Sequence, residues 1–436
     1  MSEQLTSNFS EAILDQFVSS GFNSVLDIRK TSLEEFKATG LPTTKSEEYK
    51  FTHLSKRLEK DFKPYHFKKT EITDKQVVFH PLKDIEADHI VMVNGHFRKD
   101  LSTFKNAPTE ILFGSLEDAL TGKNDLVKSS FDNLRSTYKD PFSTLNSTFW
   151  NGGLFIQVSR GVQVKHPVVI YNLQDSINDS VVINSRILGM IDNNSTAQII
   201  HVSENIGDNK VFDNCSEEFF VGESAAFSFY KIQNESKDII QVNNTLIQQK
   251  ASSKLSHGVF TLDGTMIRNN TTVVIDGENC ESHLNGLYLL KGKTHVDNHS
   301  VVDHRKPNSY SNELYKGVLD DQSKGVFNGK IFVRPHAQKT NAFQSNRNIL
   351  LTDTASINTK PQLEIWADDV KCSHGCTSGQ LDEEALFYLQ SRGIPKSTAK
   401  AMLLYAFANE VVEGISNEYL KTYLDNLFSE KLLKNF

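Results

Sequence analysis

Two cysteines and one histidine lie within five residues near the C-terminal end of the chain. They are Cys372, His374 and Cys376, at alternating positions. Thiolate and imidazole together suit iron, copper(I) or zinc, and such groups can also form a redox pair or supply a nucleophile. On an extended strand, residues two apart project from one face, but three ligands on one strand seldom complete a site. A second element or subunit would have to complete it; the simpler alternative is a buried cysteine beside a surface histidine.

A second polar cluster follows the same alternation. His295, Asp297 and His299 would share one strand face, and His304 follows shortly after them. A metal site is one interpretation of this spacing. A polar strand face with hydrogen-bonded imidazoles is favoured over it.

Familiar nucleotide and hydrolase motifs are missing from the sequence. The nearest match to a phosphate-binding loop runs over 325–331, but its spacing is wrong and no Ser or Thr follows Lys330. There is no Gly-x-Ser-x-Gly, His-Glu-x-x-His or Cys-x-x-Cys either. We therefore expect that this chain does not itself hydrolyse ATP.

Composition narrows the class of protein further. The chain has 436 residues and a formal net charge of -7, without a long basic run, so we expect no nucleic-acid partner. No apolar stretch reaches the ~18 residues of a membrane span, and the polar N-terminus predicts no secretory signal, so we expect a cytoplasmic protein without a membrane partner. Four cysteines are too few for a disulfide framework. Two of them, Cys215 and Cys280, are isolated in the sequence, and we interpret them as packing residues.

The N-terminal part, about residues 1 to 60, has helical periodicity. Apolar residues recur at helical spacing in Phe9–Phe17 and Leu26–Phe36, and Ser46–Tyr49 resembles a further helix start. From about 90 to 370 the pattern changes to short β-branched or alternating runs bounded by Gly, Asn, Asp or Ser. The predicted strands are Ile90–Val93, Leu154–Val158, Val168–Tyr171, Val181–Ile187, Ala197–Val202, Phe227–Ile232, Ile239–Ile247, Leu255–Leu262, Thr271–Ile275, Leu284–Leu290 and Gly325–Val333.

Many strands without crossover helices exclude a doubly wound α/β sheet. A sandwich, a barrel and a β-solenoid remain, and the short runs with Asn- and Gly-rich turns favour a solenoid, whose coils shield each other's strand edges. No strict sequence repeat accompanies this pattern. We predict a mainly β fold divided into a helical region over 1–90, a β-helix core over 91–376 and a helical domain over 377–436.

The C-terminal domain is predicted to hold three helices. Asp382 caps the first, Glu383–Arg392, and Gly393 ends it. Ser397 is the predicted cap of the second, and the third begins after Ser416. The predicted apolar faces, which would bury against each other or partly against a partner, consist of Ala399, Met402, Leu403, Ala406, Phe407 and Val411 in the second helix and Leu420, Leu424, Leu427 and Phe428 in the third.

Several stretches together resemble the SufB/SufD family, and its SufD members in particular. The stretches that carry this resemblance are Gln362–Gly375, Gly379–Ile394, His295–His304, Ser311–Gly317, Phe343–Leu351, Gly40–Pro42 and Glu47–Lys50. The similarity is dense from about 255 to 410 and thinner elsewhere. SufB-like chains lack the Cys-Ser-His-Gly sequence and are usually longer, so the SufD branch is favoured.

The resemblance implies a scaffold subunit of the SUF system for iron–sulfur cluster assembly, without an enzymatic activity of its own. Its fold would be a right-handed parallel β-helix with flanking helices. Its partners would be a SufB-like subunit, bound through the β-helix end, and a SufC-like ATPase, bound through the C-terminal helices; a homodimer is a further option.

The resemblance also assigns roles at the first cluster. His374 and Cys372 would lie at the cluster-assembly interface and are candidate ligands of a transient iron–sulfur cluster or iron. No tightly bound cofactor is expected on the isolated chain. Cys376 stands where the family more often has a small residue, so it is the weakest ligand candidate. The alternatives are a SufB-like paralogue, a purely structural partner without metal ligands, and a carbohydrate-active β-helix protein, which would call for a secretory signal and a groove of carboxylates.

Overall fold

Successive strands alternate between two parallel sheets and so wind into a β-solenoid. The computed structural model describes residues 26–62, 82–122, 125–235 and 238–436. The predicted helix over Phe9–Phe17 lies outside these ranges. The described helices are α1 Leu26–Thr39, α2 Leu54–Asp61, α3 Leu116–Thr121, α4 Asp125–Ser130, α5 Asn133–Thr137, α6 Pro141–Phe149, α7 Glu383–Ser391, α8 Lys396–Asn409 and α9 Glu418–Asn435.

The strands are β1 Asp88–Val93, β2 His96–Phe97, β3 Ile111–Ser115, β4 Gly152–Val158, β5 Val168–Ser176, β6 Val181–Ile183, β7 Ser185–Ile191, β8 Thr196–Gly207, β9 Val211–Val221, β10 Ala226–Asn234, β11 Ile239–Gln249, β12 Lys254–Asp263, β13 Met266–Ile275, β14 Glu281–Leu290, β15 His295–His304, β16 Tyr310–Leu319, β17 Lys324–Val333, β18 Asn341–Leu350, β19 Ser356–Ile365 and β20 Lys371–Gly379.

Each coil adds one strand to each sheet. Sheet A has the order β2-β1-β5-β8-β10-β12-β14-β16-β18-β20, and sheet B has the order β19-β17-β15-β13-β11-β9-β7-β4-β3, with β6 beside β9. Apolar side chains from the inner faces of both sheets form one shared core cluster. The predicted parallel β-solenoid with helices before and after it is confirmed.

Successive coils share a turn conformation that no repeat in the amino-acid sequence indicates. In the turns that follow β7, β9, β11, β13, β15 and β17, one residue has a positive φ and its N–H donates to a carbonyl oxygen of the following coil. The positions are Asn194, Ser224, Ser252, Asn279, Asn308 and Lys339. The left-handed region favours asparagine but admits other residues when the surrounding structure holds them there. The repeat is therefore one of backbone conformation.

The C-terminal helices cover the outer face of sheet A. Leu404 of α8 and Leu424 and Phe428 of α9 share a buried cluster with Ile232 and Phe260 of sheet A. The buried Lys316 donates to the carbonyl oxygen of Phe407 at 2.7 Å and also binds the Glu410 carboxylate. No described helix combines the length and apolarity that crossing a membrane would require.

Two details of the second C-terminal helix differ from the prediction. The helix begins at Lys396 with Pro395 at the N-cap, so Ser397 is not the cap. Its buried residues are Ala399, Ala401, Leu404 and Ala408, whereas Met402 is 47% exposed. Apolar residues surround this helix almost completely, so periodicity alone could not identify the buried face. Leu404 and Ala408 belong to the cluster that the helix shares with sheet A. The first helix is capped by Asp382 as predicted, with bonds from the N–H groups of Glu384 and Ala385.

A polar column runs through the inner face of sheet A toward the last coil. Glu313, Gln344 and His374 occupy equivalent register positions on β16, β18 and β20, and the apolar Leu284 on β14 precedes them. Gln344 Nε2 donates to Glu313 Oε2 at 2.6 Å, and both residues are buried. A Cβ at Gly329 would lie 2.2 Å from Gln344 Nε2, so the glycine leaves room for this amide.

A second inner column depends on a glycine in the same way. The buried Tyr288 on β14 crosses Gly317 on β16, and its hydroxyl donates to Asn348 Oδ1 on β18. A Cβ at Gly317 would lie 2.1 Å from Tyr288 Cε2. The tyrosine thus reaches a side chain two coils away only because glycine stands between them.

We predict that Gly317→Ala lowers the free energy of unfolding by about 1–3 kcal/mol, because the added methyl group overpacks the Tyr288 ring. Equilibrium urea denaturation measures the change. The control is Gly114→Ala on β3, where an added Cβ meets no atom within 4 Å. Equal losses in both variants would contradict the steric explanation.

The stability of the chain should also depend on the protonation of Glu313. Burial raises the pKa of Glu313 from 4.5 to about 7, despite its hydrogen bonds. The folded protein therefore holds the Glu313 proton more tightly than the unfolded chain does. The stabilisation that results is fully present below pH 4.5 and is lost as pH rises through about 7. The size of the pKa shift corresponds to a loss of ~3 kcal/mol in the free energy of unfolding.

We predict that Glu313→Gln removes this part of the pH dependence. Its free energy of unfolding relative to the parent chain should rise between pH 5 and 8, as denaturation at each pH would show. Glu278→Gln, at an exposed turn residue, is the matched control. A parallel pH profile for Glu313→Gln and the parent would contradict the prediction.

Candidate functional site

The three residues of the first cluster lie on β20, the last strand of sheet A. Cys372, His374 and Cys376 pair in register with the buried residues Ala342, Gln344 and Asn346 of β18. They continue the inner face of the solenoid, so the three side chains share one face of the strand. Among the described strands β20 pairs with β18 alone, so this inner face is open to solvent at the last coil.

Exposure increases along β20. Cys372 is partly buried and packs against the main apolar core, whereas His374 and Cys376 are exposed. Burial raises the pKa of the Cys372 thiol. Cys376 Sγ donates to Thr359 Oγ1 at 2.8 Å, which links β20 to β19 of the opposite sheet. Within the described ranges, His374 makes no hydrogen bond or ion pair, so its ring is free to bind an incoming group.

The trio does not form a closed metal site. Side chains two positions apart on a strand start ~6.6 Å from each other, whereas two thiolates at 2.3 Å from one ion lie within ~4.6 Å of each other. Across the residues that the structure describes, no three His, Cys, Asp or Glu side chains group closely enough to hold a metal. A complete coordination sphere would need ligands from outside this strand.

The open coil end extends beyond these three residues. β19 and β20 are the terminal strands of the two sheets, and within the described part of the chain each pairs with an earlier strand on one side only. The side chains of β19 are half-buried or exposed, unlike those of the coils before it. Trp366, just after β19, is 51% exposed. Below this end lie the buried Gln344 and Glu313, so the site has a polar base.

The second cluster fastens the N-terminal region to the outer face of sheet B. The buried Asp297 accepts from Arg268 at 2.6 Å and from Thr52 at 2.5 Å, and it pairs with His299 at 2.9 Å. Burial alone would raise the pKa of Asp297, but His299 and Arg268 outweigh it and hold this pKa well below its usual range. The other ring nitrogen of His299 lies 3.2 Å from Glu48.

These contacts confirm the interpretation of a polar strand face with hydrogen-bonded imidazoles. His304 lies on the opposite, inner face, where Nε2 is 2.9 Å from Ser311 Oγ. Burial lowers the pKa of His304 to about 4, so its ring is neutral at pH 7. The two isolated cysteines, Cys215 and Cys280, are buried as predicted.

A buried charged group in the solenoid interior was not predicted from the sequence. Glu217 on β9 binds His201 on β8 at 2.6 Å, Lys231 on β10 at 2.9 Å and Thr245 on β11 at 2.5 Å. Burial would raise the pKa of Glu217, but Lys231 and His201 lower it below its usual range. These residues are 14 to 28 positions from Glu217, so no local motif indicates them. They neutralise one another far from the open coil end.

Comparison with known proteins places the chain in a family. Residues 173–407 match the family described as "SUF system FeS cluster assembly, SufBD core domain", and residues 2–170 match the SufBD protein N-terminal region.

Similar proteins carry names from the same family. An iron–sulfur cluster assembly SufBD family protein of Synechocystis is 29% identical over 77% of this chain and 75% of its own length. The iron–sulfur cluster assembly protein SufD of Escherichia coli is 41% identical over 41% of this chain and 42% of its own length. SufD of Bacillus subtilis is 26% identical over 74% of each chain. The two family matches, together with the parallel solenoid, show that this chain belongs to the SufBD family of the SUF iron–sulfur cluster assembly system.

Proposed function

We propose that this chain is a SufD-type scaffold subunit on which an iron–sulfur cluster is assembled and from which it is transferred. The cluster is the cargo of this protein. The observation that carries the proposal is the position of His374, an exposed imidazole on the inner face of the terminal strand of sheet A. Family membership supports the assignment. A carbohydrate-active enzyme has no comparable support.

Incomplete ligation suits a scaffold that must release its cargo. Iron in these clusters favours thiolates, and histidine replaces cysteine at some iron atoms. His374 would ligate or position iron, Cys372 would be a supporting ligand or a structural thiol, and Cys376 would contribute least. Because this strand cannot close the coordination sphere, ligands from a partner would complete it, and a recipient protein could displace them.

The open coil end offers the surface for a SufB-like partner. Unpaired N–H and C=O groups along β19 and β20 are a template for pairing with another strand. A second solenoid placed against this end would bury His374 between two chains. A homodimer could use the same edges when the SufB-like subunit is absent.

The C-terminal domain offers a separate surface for an ATPase subunit. Helix α7 contains no buried residue, and its Phe387 and Tyr388 are 73% and 56% exposed. Large exposed aromatic side chains are typical anchors of protein interfaces. ATP hydrolysis would then belong to the partner, and this chain would act in the cytoplasm as a non-enzymatic subunit. Movement of the C-terminal helices on ATP binding by the partner would open the assembly interface.

We predict that His374→Ala lowers cluster assembly at least about tenfold, because one candidate ligand is lost while the fold is kept. The assay is anaerobic iron and sulfide analysis of the purified complex, with growth of a strain that depends on this system. His336→Ala, at an exposed turn histidine, is the control. Full cluster assembly by an intact His374→Ala complex would overturn the ligand role of His374. Unchanged iron content in a variant that lacks both Cys372 and His374 would show that the chain is a purely structural subunit without metal ligands.

The ATPase contact can be tested separately. We predict that Phe387→Asp weakens co-purification with the SufC-like ATPase by about 30-fold in affinity, because an aromatic anchor is replaced by a charge. The matched control is Leu433→Asp on α9, where the side chain is 64% exposed. Equal retention of the ATPase by both variants would exclude α7 as the contact.

A further inference from the structure

A cavity of about 660 Å³ lies beside the outer face of sheet B, away from His374. It is bounded by the segment before α2 and by the first residues of β13, β15, β17 and β19. Its volume is within the range of small-molecule sites, ~300–1,000 Å³. Nothing in the proposed scaffold function uses it.

The lining of this cavity is cationic. Three lysines, Lys50, Lys293 and Lys324, supply the positive charge, and among the described residues no Asp or Glu lines the cavity. His53 and His295 add ring nitrogens to the lining, and burial lowers the pKa of His295, which favours its neutral form. The chain as a whole has a net charge of -7, so this is a local reversal of sign. Within the described ranges, none of the three lysines forms an ion pair, whereas the neighbouring Lys330 pairs with Glu48.

The nearest buried carboxylate is already occupied by other groups. Asp297 binds Arg268 and His299 and also accepts from Thr52 Oγ1. Because the single hydroxyl proton of Thr52 is donated to Asp297, the contact of 2.9 Å between Thr52 Oγ1 and His295 Nε2 requires a proton on that nitrogen. The three lysines therefore have no counter-charge among the described residues, and an external anion would supply one.

The spacing of the polar groups indicates an extended anion. His295, Lys324 and Ser356 occupy one register position on three successive strands. Strands lie ~4.8 Å apart, so these groups span ~10 Å, more than one phosphate group covers. Thr354, Ser356 and Asn358 add hydrogen-bonding groups to the same wall.

We propose that this cavity binds a ligand that carries two or more phosphate groups. Inorganic diphosphate or triphosphate and a nucleoside diphosphate share that chemistry. Phe51, which is 42% exposed, and Met266 provide an apolar part of the lining on which the base of a nucleoside would lie.

Isothermal titration of the 436-residue chain in 150 mM salt tests the proposal with pyrophosphate, tripolyphosphate, ADP, sulfate and an acidic peptide as probes. We expect saturable one-to-one binding of the diphosphates, weaker binding of sulfate, and about tenfold weaker binding in Lys324→Gln and in Lys293→Gln. Lys250→Gln, at a surface lysine that pairs with Asp276, is the control and should bind as the parent does.

Two further comparisons distinguish a nucleotide from an inorganic polyphosphate, and both of these from an acidic peptide. In Phe51→Ala, a loss of affinity for ADP but not for pyrophosphate supports a nucleotide, and unchanged affinity for both supports an inorganic polyphosphate. Diphosphate binding that is absent, or that is equal in the parent and both cavity variants, overturns the proposal. So does binding of an acidic peptide without binding of diphosphate, which would make the cavity a protein-docking surface.

Discussion

Each inner strand of the solenoid shares its backbone N–H and C=O groups with a strand of the coil before and a strand of the coil after. This pairing satisfies the backbone in the interior, but it cannot satisfy the last coil. At β19 and β20 the stack stops with one edge of each sheet unpaired. The inner face of the solenoid, closed elsewhere by the next coil, is therefore open there. The exposure of His374 follows from where the stack ends.

The same stacking explains how polar groups remain buried in the interior. Equivalent positions on successive coils lie one strand spacing apart, so a donor on one strand meets an acceptor on the next. Gln344 and Glu313 are one such pair, whereas Lys231 and Glu217 meet across the interior, from opposite sheets. Glycines at the neighbouring positions make space for the larger polar side chains. An inner surface of this kind gives the open coil end a polar base.

Hydrophobic patterning identified strands that carry apolar side chains on both faces, such as Phe227–Ile232 and Leu255–Leu262, which lie within β10 and β12. It missed β9, because Asp213, Cys215 and Glu217 occupy its inner face and break the apolar pattern. It also joined β6 and β7 into one run. The turn repeat was hidden because asparagine, serine and lysine all occupy its left-handed position.

The sequence by itself determined the chemical groups and their local directions. Alternation placed Cys372, His374 and Cys376 on one strand face, and Asp382 capped the helix that follows, because both depend on neighbours within a few residues. The predicted bounds also placed this strand at the end of the β region. Only the tertiary structure decided that its inner face is left uncovered, that Glu313 lies beneath it, and which face of α8 is buried. Those outcomes depend on register and desolvation between residues 30 or more positions apart, and local sequence does not specify such contacts.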